Sequence, residues 1–145
     1  MRFPFGNAVL DAASRLLVPF VLLFAAYVVA HGHGGPGGGF QGGVLLAAGL
    51  ILVKLVRGRP GRWDIGTRTA LSLGCVGVAL FALIGLASLP FGGAFLDYAA
   101  PGWLADPVAT RVLGTLGIEI GVALTVMGVI LVVFDALAAW GETEG

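Results

Sequence analysis

His31, His33, Gln41 and Glu119 are the side chains of this sequence best placed to do chemistry, and three of them share one short stretch. That stretch, HGHGGPGGGFQGG at positions 31–43, holds eight glycines in thirteen residues. Its letters match G-x-G-x-x-G twice, at Gly32/Gly34/Gly37 and at Gly37/Gly39/Gly42. A dinucleotide site of that kind needs a preceding strand, a following helix and an acidic residue about 20 positions on. Here an apolar span comes before the glycines, and the next acidic residue, Asp64, lies beyond the following span. A Walker-type phosphate loop fails as well, because no Gly-Lys-Ser/Thr follows. His31 and His33 offer a metal two ligands, where zinc takes three or four. The only other His or Cys is Cys75, in a different segment. No metal site is expected from this chain alone, although one shared with a partner chain stays open.

The elements that must hold these residues belong to a membrane. Of 145 residues, 58% are apolar and 11% charged, with a mean hydropathy of +1.00. Soluble domains carry about 25% charged residues, so a water-facing surface is excluded. Four apolar runs stand out, at about 8–30, 40–56, 69–89 and 112–140. Each reaches the roughly 17 residues needed to cross hydrocarbon. The expected fold is an all-α membrane protein, one four-helix domain over 1–145. Asn7 suits an N-cap of the first span, Arg15 can snorkel to headgroups, and Pro19 is tolerable inside a bundle. A cleaved signal peptide is the competing reading of that span. Its leading region would be too long, however, and would contain Asp11.

Orientation follows from the basic residues. Lys54, Arg57, Arg59, Arg62 and Arg68 cluster between the second and third runs, whereas the other two connections hold only Arg111. By the positive-inside rule that loop, and with it both termini, is cytoplasmic. The glycine stretch and the 90–111 connection then face outward. At 17 residues the second run spans only about 25 Å, less than the ~30 Å hydrocarbon core. Part of the Pro36–Gly43 backbone is therefore expected at membrane depth, where irregular backbone is tolerated only if protein or a water-filled cavity surrounds it. Pro36, Gly37, Gly38, Gly39, Phe40, Gly42 and Gly43 then serve either close packing or an ion path. His31, His33 and Gln41 are candidates for that path, since glycine-interrupted short spans point to transport sites.

Glu119 is the charge set well inside a span, and intramembrane acids are functional-site candidates by default. Three readings compete: a proton carrier, a carboxylate ligand for a hard cation such as sodium, and a neutralised packing residue. Gly114, Gly117, Gly121, Thr125 and Gly128 form a small-residue stripe on the same helix, with Gly117 and Gly121 a GxxxG pair. Glu119 lies about 200° around the helix from Gly117. The helix is thus constrained on two sides, which argues for an assembly of several chains. Asp135, near the interfacial Trp140, reads as solvated or lysine-paired. Lys54 reads as snorkelling to the headgroups. His31, His33 and Glu119 are too scattered for a catalytic set, so an enzyme is not expected.

Three passages carry a resemblance: PFVLLFAAYVVAHGHGGPGGGFQGGVLLAAGLIL (19–52), FGGAFLD (91–97) and GIEIGVALTVMGVILVVF (117–134). Together they make the chain, over roughly residues 14–135, similar to the MnhB family, the B-type subunits of the Mrp-type (Mnh-type) multisubunit sodium/proton antiporters. The resemblance implies a small, non-redox, four-helix component of a cation/proton-translocating assembly in a prokaryotic cell membrane. It implies no cofactor beyond the transported Na+ and H+. The implied partners are other complex subunits and the lipid bilayer, not nucleic acid. Related modules occur in membrane-bound hydrogenase and sulfur-reducing complexes, which supply the alternative setting.

Overall fold

Backbone amides inside hydrocarbon must find their partners within the segment itself, and the apolar runs satisfy this as helices. The computed structural model describes residues 8–32, 37–57, 65–102 and 106–143. Its helices are α1 (Ala8–His31), α2 (Gly38–Arg57), α3 (Thr67–Leu86) and α4 (Pro107–Thr143), with a 3-10 turn at Leu89–Phe91. No strand occurs among the described residues. All four helices are long and apolar enough to cross a membrane. Asn7, expected to cap α1, lies outside the described residues.

Local signals explain several boundaries. Asp106 caps α4, its Oδ1 accepting the Val108 amide at 2.9 Å, and Pro107 takes the first helical position, which has no amide to lose. The helix therefore begins five residues ahead of the expected Val112. The glycine stretch departs further from expectation. Gly37 (φ +142°) and Gly38 (φ +55°) hold positive φ at the entrance to α2, and helix runs continuously from Gly38 onward. Irregular backbone thus does not extend to Gly43, and α2 is 20 residues long, about 30 Å. Glycine's low helix propensity is overridden here by close packing on both sides.

The helices lie in the packing order α1, α2, α4, α3. Along α2, Gly42 meets Ala25 and Val29 of α1, whereas Gly49 meets Val21 and Leu22, so these two helices are antiparallel. Against α4, Gly39 meets Glu119 and Gly43 meets Ala123 and Val126, so α2 and α4 run parallel. The centre of the row is the cluster Ala47, Leu50, Ala70, Met127 and Leu131. On the far side Gly128 lies against Ala70 and Gly74, Gly121 against Gly77, and Gly117 against Ile84. The small-residue stripe of α4 therefore faces a matching stripe on α3. The outer helices leave large apolar side chains exposed, including Phe20, Leu23 and Phe24 of α1, a surface suited to lipid or neighbouring chains rather than water.

The connection after α3 is ordered by specific contacts. Leu96, with φ +67°, donates its amide to the Gly85 carbonyl at 3.1 Å. Phe95 packs against Gly85, and Tyr98 against Gly114. This compact cover closes one end of the α3–α4 pair.

Candidate functional site

The glycine turn and Glu119, read in the sequence as separate features, form one place. A β-carbon at Gly32 would stand 2.9 Å from Glu119 Oε2, and one at Gly38 would stand 3.1 Å from Oε1. One at Gly39 would strike the Glu119 backbone, reaching its carbonyl carbon at 2.8 Å. The three glycines thus make a cradle that only residues lacking a β-carbon can form. The cradle is assembled from the C-terminal end of α1, the first turn of α2 and the first half of α4.

Depth along α4 does not mean depth in the bundle. Glu119 lies twelve residues past Pro107, about 18 Å along the helix, yet it is level with the turn that joins α1 to α2. From there α3 and α4 continue past the ends of their neighbours. Glu119 Oε2 is buried and has no hydrogen-bond partner among the described residues. Such a group in an apolar setting is destabilising by about 1–3 kcal/mol, and more if ionised.

The other candidate residues take different positions. His31 is exposed, stacked on Tyr27 with ring centroids 4.2 Å apart, and its Nδ1 is 3.2 Å from the Tyr27 carbonyl. Gln41 is also exposed and folds back onto the turn, its Oε1 2.6 Å from where a Gly37 β-carbon would stand. Neither has a described contact with the Glu119 carboxylate. Phe40 points outward, whereas Gly42 and Gly43 seat α2 on α1 and α4. Gly117 and Gly121 serve the α3 seam instead. His33 and Pro36 lie outside the described residues.

One expectation is overturned in its reasoning. The two-sided constraint on α4 does not need other chains, because α2 and the α1–α2 turn meet its Glu119 face and α3 its glycine stripe. A second correction concerns Lys54, which does not snorkel. Its side chain is buried, with Nζ donating to Asp135 Oδ1 at 2.9 Å and to the Ile65 carbonyl at 2.8 Å. Thr67 Oγ1 donates to Asp135 Oδ2 at 2.7 Å. Asp135 is thus lysine-paired rather than solvated. The sequence held a signal for the pair without deciding it: Lys54 and Asp135 sit near the ends of spans running in the same direction, on the same side of the bundle.

No group of three or more His, Cys, Asp or Glu that could hold a metal occurs among the described residues. A groove of about 470 Å³ along α3 and α4 passes Cys75 and Thr125 but is otherwise lined by apolar residues and glycine. It offers no acid–base pair.

Comparison with known proteins adds to this geometry. Residues 9–132 match the family model described as a domain related to the MnhB subunit of the Na+/H+ antiporter. The chain is 31% identical over 147 residues to the B-type Na+/H+ antiporter subunit of Bacillus subtilis (strain 168), covering 96% of each chain. It is 31% identical over 139 residues to the protein named as antiporter subunit mnhB2 in Staphylococcus haemolyticus (strain JCSC1435), covering 92% of this chain and 95% of that one. The protein of that name in Staphylococcus aureus (strain Newman) is 29% identical over 137 residues, with the same coverages. These relatives are named as parts of transport systems, not as enzymes.

Proposed function

The chain belongs to the family of domains related to the MnhB subunit of the Na+/H+ antiporter, and from that membership we propose that it is a multi-pass, non-redox subunit of a sodium/proton antiporter. It scaffolds the complex in the cell membrane of a prokaryote, with both termini cytoplasmic and with lipid and other antiporter subunits around it. In this reading Glu119 contributes to the cation or proton route, at the turn between α1 and α2. One observation carries that assignment: a carboxylate oxygen, buried and without a hydrogen-bond partner among the described residues, is held in a cradle of glycines. Carboxylates accept protons and suit hard cations, and a glycine turn lets either approach through backbone alone. His31 and Gln41, exposed beside the same turn, would line the approach to it.

The test is Glu119→Gln in the complete complex, assayed as Na+-driven proton movement in everted membrane vesicles. The substitution keeps the shape of the side chain and removes its capacity to carry charge. Normal assembly with transport lost supports the ion-path role. Normal assembly with normal transport reduces Glu119 to a packing residue and leaves this chain a scaffold. Mass spectrometry of the tagged, gently solubilised complex identifies the setting: antiporter subunits support the assignment, and iron–sulfur or nickel-iron subunits replace it with a redox pump.

A further inference from the structure

The buried charges at the other end of α2 and α4 have no part in the route proposed above, and their geometry gives them a different task. Asp135 accepts from Lys54 of α2 and from Thr67 at the start of α3, while Lys54 also holds the Ile65 carbonyl just ahead of α3. Three helices are joined at one carboxylate. Both partners of the ion pair have side chains only 3% exposed.

Between this cluster and Glu119 the parallel helices keep matched register. Glu119 to Asp135 is sixteen residues of α4, and Gly39 to Lys54 is fifteen residues of α2, so both separations are about 23–24 Å at 1.5 Å per residue. The α2 face between them carries Gly43, Ala47 and Leu50, the last two in the cluster with Met127 and Leu131. Glycine and alanine let helices approach closely, and apolar contacts of this kind are non-directional. Directional bonds to a buried charge add resistance to sliding and rotation, because a slide of α2 by one residue, about 1.5 Å, would strain both bonds that Lys54 makes, to Asp135 of α4 and to the Ile65 carbonyl.

We propose that Lys54, Asp135 and Thr67 are positioning residues for the Glu119 cradle: they fix the register of α2 on α4, so that Gly38 and Gly39 stand against Glu119 at the opposite end. Buried ion pairs add little net stability and are best attested as devices that fix register. A shift of about 1 Å at a working site can lower a rate by as much as 10²-fold, so a fixed register has a functional consequence. The functional half of this inference rests on the ion-path reading of Glu119; the positional half does not.

The test uses the whole complex in everted vesicles and the paired variant Lys54→Met with Asp135→Leu, which removes both charges of the pair together. Three quantities are measured: complex abundance, half-saturating Na+ concentration, and the rate at which dicyclohexylcarbodiimide modifies Glu119, followed by mass spectrometry of its peptide. Expected are near-normal abundance, several-fold faster labelling of Glu119 and a several-fold shift in half-saturating Na+. Unchanged labelling and unchanged Na+ dependence at normal abundance would overturn the proposal, because the pair would then be only a structural contact. Thr67→Val, which leaves the ion pair intact, is measured in parallel and decides the matter should the paired variant not assemble. Its expected effect has the same sign and is smaller, and wild-type labelling in it would likewise refute the role. If Glu119→Gln transports normally while labelling still responds to the cluster, the ion-path reading fails and the positioning stands.

Discussion

Gly39→Ala sets two opposed effects against each other at one position. In an ordinary helix interior, alanine is favoured over glycine by about 0.5–1 kcal/mol. At Gly39 the added carbon meets the carbonyl oxygen of Glu119, its carbonyl carbon at 2.8 Å and its α-carbon at 2.9 Å. All three are backbone atoms of a packed helix, so no flexible side chain can yield. Overpacking of this sort is destabilising by about 1–3 kcal/mol, and the lack of any movable atom favours the upper half of that range. The net expectation is a loss of about 1–2 kcal/mol, with the first turn of α2 lifted off Glu119. Gly141→Ala is the control, since nothing lies within 4 Å of a β-carbon at that position in α4. There the propensity gain stands alone. Thermal unfolding of the purified complex, followed by tryptophan fluorescence, should order the variants as Gly141→Ala at or above wild type and Gly39→Ala below it. Vesicles carrying assembled Gly39→Ala should also lose Na+/H+ exchange. Wild-type stability and exchange in Gly39→Ala would refute the close approach from which the cradle is argued.

Two further outcomes follow from contacts outside the spans. Asp106→Ala removes the oxygen that caps α4 and should be destabilising by about 0.5–2 kcal/mol, with faster amide exchange confined to the first turn. Burial raises the Tyr98 hydroxyl above its ordinary value of 10.0, so folding favours its protonated form. Its contribution is constant below that ordinary value and is lost as pH rises through the folded-state value. Tyr98→Phe should flatten that alkaline arm of a thermal-stability profile, and an unchanged arm would assign it to other groups.

Composition alone determined a great deal about this protein. With 11% charged residues, the backbone had to close its own hydrogen bonds, and four apolar runs of spanning length left helices as the solution. The stripe Gly114–Gly128 was likewise legible as a seam, because spacings of three and four put small residues on one face. What periodicity could not supply was which helix lies against which. That choice depends on contacts between residues far apart in sequence, and here it decided the chemistry. Glu119 was visible as a costly acid, and the glycines as a permissive turn. Only the parallel packing of α2 on α4 makes one the wall of the other. Lys54 shows the same limit from the other side. A long cationic side chain near a span end ordinarily reaches for water, but Asp135, Thr67 and the Ile65 carbonyl converge on it. The second span was expected from Phe40, and its start two residues earlier, at Gly38, was not legible, because local propensity counts glycine against helix, whereas two close neighbours leave no room for anything larger. The sequence set which segments cross and which residues are costly to bury; tertiary packing decided what those residues touch, since contact between helices is a property of their arrangement and not of any one of them.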